Sequence, residues 1–283
     1  MRLKNMGLLR KFIRWLFNTI KKPYRGIDFE NLMPDTFPTS LEPSPYDSRD
    51  EEYAVKVGVT ELPASVMLEN VPAVKSQGGL NSCASHAFAT MTEMLCMKND
   101  KAWDDIPLSE RFHYYVVRSK DYENSYPKDE GQYMRDGAKV CAQVGISPEV
   151  LCPYDESKFN DQPGYMAYGF APLWKLKTYN RCWDVQSIKA VLANLDPVAF
   201  GIYVYSDVWI TPSTGDLQFT GHSIGGHAIT AVGYSDTHSN PDGTEGAIYF
   251  VNSWGRSWGR NGYGWVSYNQ LTNNFLEAWS GTV

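Results

Sequence analysis

Residues 77–88 read Gln-Gly-Gly-Leu-Asn-Ser-Cys-Ala-Ser-His-Ala-Phe. Gly78, Gly79 and Asn81 make a flexible turn, and Cys83 follows where a helical pattern begins. From there Ala84, Ala87, Phe88, Met91 and Leu95 recur at i, i+3, i+4 spacing, which predicts a helix with a buried face. A cysteine in the first helical turn sits beside unpaired backbone N–H groups and the positive end of the macrodipole. Both favour the thiolate, which is the nucleophilic form. The commoner fate of a helical cysteine is that of a small buried hydrophobe, so Cys83 by itself decides nothing.

Outward from this stretch, the first half of the body is helical in pattern. The helix from Cys83 should end near Asn99 and Asp100. A second helix lies within 104–120, its start marked by Ser109, and a third within 132–144. Residues 121–131 are a polar loop. After Pro172 the character changes. Residues 197–205 are β-branched and aromatic, as are 228–234, 246–252 and 263–268, and all read as strands. Residues 236–246, with Asn-Pro-Asp-Gly, read as a surface hairpin loop. A helix-rich half followed by a strand-rich half predicts two lobes with a ligand cleft between them.

Composition sets the outer bounds. The chain has 283 residues, enough for two lobes with a full core, and its 43% hydrophobic content is that of an ordinary globular protein. Residues 1–26 hold eight Lys or Arg and no acid, so the remainder carries a net charge of −14. An acidic body of that kind argues against nucleic-acid binding, which needs clustered positive charge. Within the basic segment, Leu9, Phe12, Ile13, Leu16 and Ile20 share one helical face opposite Arg10, Arg14, Asn18 and Lys21. This basic amphipathic pattern over 8–20 fits a membrane-surface helix, and equally a helix packed on the body or docked on a partner. Its longest uncharged run is too short for a signal-peptide core or a membrane span. Pro34, Pro38, Pro43 and Pro45 make 27–61 an extended segment, with a domain boundary near Leu62. Five cysteines, Cys83, Cys96, Cys141, Cys152 and Cys182, form no CxxC pair, which argues against a zinc site. A Cys141–Cys152 bridge is open but unsupported.

A cysteine nucleophile needs a base that later protonates the leaving group. Of the five histidines, His86 lies on the same helix as Cys83 and leaves no room for substrate between the two. His113 reads as a helix or core residue and His238 as a loop residue. His227 stands in Gly-Gly-His-Ala-Ile-Thr-Ala-Val-Gly-Tyr, where glycines allow close approach and a strand start fixes the ring. In Asn-Ser-Trp-Gly-Arg-Ser-Trp-Gly-Arg-Asn-Gly-Tyr (252–263), Asn252 could orient that imidazole and Trp254 shield the bond.

Taken together, Gln-Gly-x-x-x-Ser-Cys at 77–83, Gly-His-Ala with Val-Gly-Tyr at 226–234, and the 252–263 run resemble the papain-like cysteine peptidases, from about Leu62 to Tyr268. His227 follows Cys83 by 144 residues and Asn252 follows by 25 more, in the family's order. The resemblance implies an α+β fold, with a helical lobe (about 75–170), an antiparallel β-barrel-like lobe (about 171–283) and the active-site cleft between them. It implies Cys83 as nucleophile, His227 as general acid/base, Asn252 as its orienter with Trp254 covering the pair, and Gln77 as oxyanion donor. It implies substrate contacts at Gly131, Gln132, Tyr133, Gly226 and Ala228 as well as Trp254. Small residues at 226 and 228 suggest a roomy pocket for a bulky apolar side chain. The expected reaction is peptide hydrolysis through a thioester, as an endopeptidase. An exopeptidase, another acyl-transfer enzyme or a non-catalytic binding module on the same fold are the alternatives.

No metal or organic cofactor is implied, and the expected partners are protein or peptide substrates of a monomeric enzyme. Several positions depart from the family. Leu80 replaces the usual disulfide cysteine, Ala84 the usual Trp, and Ser85-His86 a common Ala-Phe. The lost cysteine points to the family's bacterial, archaeal or viral branches, and to an intracellular or membrane-surface setting over a secreted one. The family's long helical prosegment has no counterpart, which leaves 27–61 as a candidate short propeptide or cleft cover.

Overall fold

The computed structural model describes residues 37–51, 61–99, 106–119, 127–210 and 213–283. The amphipathic segment 8–20, and with it all of 1–26, lies outside the described residues, as does most of 27–61 other than 37–51 and 61.

The central element is helix α1, Cys83–Lys98. Its whole circumference is enclosed: Ala84, Ala87, Phe88, Met91 and Leu95 are buried, and so are Ser85, His86, Thr92 and Glu93. A helix covered on all sides can carry polar residues only where each finds a partner. Ser85 Oγ donates to Gln132 Oε1 at 2.8 Å, and Glu93 accepts from Lys75 and from the Leu108 N–H. Around α1 pack α2 (Glu110–Arg118), α3 (Met134–Gln143) and the short α4 (Tyr165–Phe170). Ser109 caps α2 by accepting the Phe112 N–H at 3.0 Å.

The second half forms one antiparallel sheet. Its strands are β1 (Ser65–Met67), β2 (Thr178–Cys182), β3 (Val198–Tyr205), β4 (Ser223–Ser239), β5 (Glu245–Val251), β6 (Tyr263–Ser267) and β7 (Phe275–Thr282). The order is β2-β7-β3-β4-β5-β6, with β1 added on β4. Helices α5 (Val185–Ala193) and α6 (Tyr268–Asn274) complete this lobe. The hairpin loop expected over 236–246 is narrower, because β4 continues to Ser239 and the turn closes with Asn240 N–H donating to Thr244 O.

The lobes share a core. Trp174, Leu176, Trp279 and Val283 join Phe88, Met91, Met134 and Ala138 in one apolar cluster, so the end of β7 packs under the helices. Thr230 Oγ1 on β4 donates to Ala87 O on α1 at 3.1 Å. The chain belongs to the α+β class, with helices and antiparallel sheet meeting along α1 and β4.

One buried ion cluster positions the loop that leads into α1. Lys75 Nζ donates to Glu93 Oε1 at 2.8 Å, to Leu108 O at 3.2 Å and to Glu110. Two carboxylates hold Lys75 in its charged form despite burial. Removing the cation would leave both carboxylates enclosed without compensation. The Lys75→Met variant is therefore expected to lose about 3–5 kcal/mol of stability at pH 7. Burial already raises Glu93 above its ordinary value, and without the cation that rise would grow, so the deficit should shrink as pH falls toward the unfolded value. Urea melts at several pH values check this, and a deficit that grows on acidification would refute it.

Candidate active site

Three stretches far apart in sequence meet at the N-terminus of α1. Cys83 is its first residue and is 3% exposed. His227 lies on β4 opposite Ile202 of β3, and the backbone N–H of the next residue, Ala228, is directed at the Cys83 sulfur. Asn252 follows the end of β5.

The hydrogen bonds fix the state of the imidazole. The Ser253 N–H donates to Asn252 Oδ1 at 2.7 Å, which identifies that atom as the oxygen. His227 Nε2 stands 2.8 Å from the same oxygen and must therefore carry the proton. Nδ1 is then a lone pair, and it is buried without a hydrogen-bond partner. Trp254 stacks on the His227 ring at 4.2 Å and 22°, shielding the Asn252 bond from water.

Gln77 is fully buried beside this pair. Its Oε1 accepts from Ser253 Oγ at 2.7 Å, and its Nε2 donates one hydrogen to Leu80 O at 2.9 Å. The second amide hydrogen remains for a ligand. Gln77 N–H also donates to Ser253 O at 2.8 Å, so one residue next to Asn252 orients both the backbone and the side chain of Gln77.

The cleft is filled by the chain's own residues 37–50. Phe37 stacks on Trp254 at 5.4 Å. Ser40 bonds Asn81 and forms a parallel bridge with Gly226, and Leu41 N–H donates to Gly226 O at 3.1 Å. The Leu41 side chain shares an apolar cluster with Cys83, Met134, Ala228 and Leu276. A Cβ at Gly201 would lie 2.7 Å from Leu41 Cδ2, and one at Gly226 only 2.1 Å from Leu41 O, so both close approaches need glycine. Further along, Ser44 bonds Glu277, and buried Asp50 pairs with Arg135 and Arg181. Under this cover, burial pushes the Cys83 thiol up to about 11 against the opposing N–H groups of Ala228, Ala84 and Cys83 itself. Burial likewise lowers His227 to about 4, against the Asn252 bond. Both shifts favour the uncharged forms, thiol at Cys83 and neutral imidazole at His227.

Among the other expected contacts, Gly131 has φ +83° and faces Ser40 Oγ. Gln132 turns its side chain inward to Ser85, which leaves the cleft only its backbone, and Tyr133 forms the N-cap of α3. His113 is a core residue: its Nδ1 meets Ser85 Oγ at 2.9 Å, and its Nε2 lies 3.1 Å from Gly137 O and 3.4 Å from Cys141 Sγ. Cys141 is completely enclosed, and burial drives its thiol to about 12. This second Cys–His contact has no path to a substrate. Ser253 and Tyr154 are site residues that the sequence reading missed. Ser253 was within reach, as the residue after Asn252, whereas Tyr154 lies in a polar stretch with no periodic signal.

All five cysteines are free, so the Cys141–Cys152 bridge is not formed. The loop before Cys83, where Leu80 stands in place of a cysteine, is held by hydrogen bonds. Asn81 N–H donates to the Asp129 carboxylate at 3.1 Å and Asn81 Nδ2 to Asp129 O at 2.7 Å, while Gly79 N–H donates to Glu156 at 2.8 Å.

A helical lobe and an antiparallel sheet flanking a Cys–His–Asn cluster define a cysteine-type peptidase, a hydrolase of proteins or peptides. The model of the papain family of cysteine proteases matches residues 64–278, and the chain belongs to that family. An uncharacterized peptidase C1-like protein of Acanthamoeba polyphaga mimivirus is 29% identical over 235 residues, covering 78% of this chain and 72% of that protein. Cathepsin B-like CP3 of Giardia intestinalis is 28% identical over 260 residues, covering 83% and 80%. Among solved structures, xylellain, a cysteine protease from Xylella fastidiosa, superposes with a TM-score of 0.75 at 25% identity, covering 89% of this chain and 99% of that one. The viral and bacterial relatives agree with the branches to which Leu80 points. Among the described residues, no helix is long and apolar enough to cross a membrane.

With no bridge to reduce, thermal unfolding is expected to be the same with and without excess dithiothreitol. A melting temperature that drops by several degrees on reduction would show that a disulfide carries part of the stability.

Proposed function

We propose that this chain is an endopeptidase whose nucleophile is Cys83, held inactive by its own residues 37–50. The observation that carries the reading is the buried, unpartnered Nδ1 of His227, one residue before the N–H that meets the Cys83 sulfur, with Nε2–H committed to Asn252. In the uncovered site Nδ1 accepts the thiol proton, and the thiolate attacks the scissile carbonyl carbon. The carbonyl π electrons move to oxygen, where the free Gln77 Nε2–H and the Cys83 N–H receive the negative charge. Collapse breaks the C–N bond, and the imidazolium gives its proton to the leaving amine. Water, deprotonated by the same Nδ1, then hydrolyses the thioester and releases the acid and the thiol. Asn252 keeps the ring in the tautomer that this sequence requires, and Trp254 keeps water from that bond.

The endopeptidase reading is supported by the path of the covering segment. A continuous chain runs from Phe37 on Trp254, past Ser40 at Asn81, to Leu41 in the cluster with Cys83 and on to Ser44 at Glu277, so the cleft accommodates chain that continues beyond Leu41 at both ends. Leu41 also favours a preference for a leucine-like side chain at the subsite walled by Met134, Gly201, Ala228 and Leu276. Cys141 is set aside as nucleophile because it and His113 lie inside the helical core.

Cover and chemistry are linked through burial. While 37–50 stays in place the thiol is neutral at physiological pH, and departure of Leu41 admits water, lowers the thiol pKa and raises that of His227. The full-length Leu41→Glu variant, which puts a carboxylate among apolar walls, should alkylate with iodoacetamide at pH 6 at least roughly tenfold faster than wild type. It should also hydrolyse a leucine-containing peptide amide faster. Cys83→Ala should abolish both, with loss of ~10⁴-fold or more in turnover, whereas Cys141→Ala should retain them. Equal alkylation rates for wild type and Leu41→Glu would remove the autoinhibitory reading. Activity that survives Cys83→Ala would remove the nucleophile.

A further inference from the structure

Ser82 occupies the N-cap of α1, yet its hydroxyl makes no capping bond to the helix backbone. It is turned instead toward Tyr154, whose hydroxyl lies 2.8 Å from Ser82 Oγ and donates to Gln77 O at 2.7 Å. A tyrosine has one hydroxyl proton, so Ser82 must donate to Tyr154. Ser82 is held from the other side by His86. Its Nδ1 lies 3.0 Å from Ser82 O and 3.4 Å from Ser82 Oγ, and the Nδ1 proton completes a one-way chain from His86 through Ser82 and Tyr154 to Gln77. The His86 ring meets the Tyr154 ring edge-on at 5.0 Å and 77°. The His86 ring is buried and the Tyr154 residue half-buried, and desolvation keeps His86 below the ordinary histidine range and Tyr154 well above the ordinary phenol range.

The Ser82–Tyr154–Gln77 part of this relay ties together the two residues that flank the oxyanion donors. Gln77 supplies its side-chain amide, and Ser82 is joined by one peptide bond to the Cys83 N–H. The loop between them contains Gly78, with φ +56°, and Gly79, and has little stiffness of its own. Its internal bond from Leu80 N–H to Gln77 O is long, at 3.3 Å.

We propose that Tyr154, with His86 and Ser82, is a positioning residue that sets the distance between the two oxyanion donors. The inference rests on Cys83 as the nucleophile. Tyr154 touches neither the substrate nor the sulfur, and acts by fastening the Gln77 backbone to the residue before Cys83. A group that only positions oxyanion donors affects the tetrahedral state more than the bound substrate, so its loss appears in kcat and not in KM.

The test uses the full-length chain with Tyr154→Phe, Ser82→Ala and the double variant. Two probes are measured: affinity for a leucine-containing peptide aldehyde, whose hemithioacetal oxygen uses the oxyanion donors, and the alkylation rate of Cys83 by iodoacetamide, which does not. The ratio of the two divides out how often the cleft is open. Each single variant should lose roughly tenfold in aldehyde affinity relative to alkylation, and in kcat wherever turnover is measurable, with KM unchanged. The double variant should lose no more than either single one, because the relay acts as a unit. His86→Phe, which keeps the ring and removes the Nδ1 donor, should fall between wild type and Tyr154→Phe. If Tyr154→Phe fails to fold, Ser82→Ala carries the same comparison. An unchanged aldehyde-to-alkylation ratio, or losses that add in the double variant, would overturn the proposal. Aldehyde affinity is read without turnover. A protein that binds aldehyde through Cys83 but hydrolyses no peptide would count against the peptidase reading and leave the relay judged by its own ratio.

Discussion

Gln77 and Ser253 are joined twice, by Gln77 N–H to Ser253 O and by Ser253 Oγ to Gln77 Oε1. The rest of the site depends on this pair, because Cys83 and His227, the proposed nucleophile and base, belong to different halves of the chain. Cys83 is fixed by α1 and His227 by β4, and neither element dictates the other's position at the level of tenths of an ångström. The Ser253 bridge does, since the same residue also gives its N–H to Asn252 Oδ1. A displacement of one loop therefore moves the oxyanion donor and the histidine's orienting group together, which keeps their mutual geometry when the lobes flex. Thr230 to Ala87 and Gly255 N–H to Lys75 O are the nearby ties that limit such flexing.

A helix start and a buried site act on Cys83 in opposite directions. The N–H groups of the first turn favour thiolate, as the sequence suggests, yet under residues 37–50 the cost of desolvating the charge is larger and the thiol stays protonated. The same cover lowers His227. If residues 37–50 hold the enzyme inactive as proposed, blocking the cleft and disabling the chemistry are one physical event, because the apolar contacts of Leu41 that would exclude substrate also exclude the water that a thiolate–imidazolium pair needs. The anchor beyond the cleft is ionic, with Asp50 held by Arg135 and Arg181. The segment combines a central apolar plug with a charged end.

Much of this was legible in the sequence. Cys83, His227, Asn252 and Gln77 converge as their motifs implied, and α1 ends at Lys98 with Asn99 as its cap. Ser109 was readable as a cap because its hydroxyl serves its own helix. Helix α5 escaped notice because its capping box closes with Asp184 and Ser187 in place of the usual acidic partner. Strand β7 escaped because Phe-Leu-Glu-Ala-Trp-Ser-Gly-Thr buries Glu277, which reads as solvent-facing until Ser44 and Trp279 are seen to satisfy it. Gln132 looked like a cleft residue, and only the packing of Ser85 and His113 beneath it explains why its side chain turns away. For β7 and Gln132 the missing information was a partner distant in sequence, whereas for α5 it was a local box closed by an unusual residue.

The departures from the family around Cys83 share one physical theme. A disulfide cysteine is replaced by Leu80, and the neighbouring Asn81 is fastened to Asp129, which also accepts from Tyr114. Where the family has Ala-Phe, Ser85 and His86 carry hydrogen bonds to Gln132 and Ser82. A covalent clamp and an apolar contact have given way to a buried polar lattice. Such a lattice is favourable only when every donor finds its acceptor, since an unpaired buried group costs roughly as much as the bond it lacks. It is therefore more directional than the contacts it replaces, and more sensitive to single substitutions. It does not depend on the redox state of its surroundings, because no bond in it can be reduced. The polar residues beside the nucleophile are then part of the scaffold that a reducible bridge would otherwise provide.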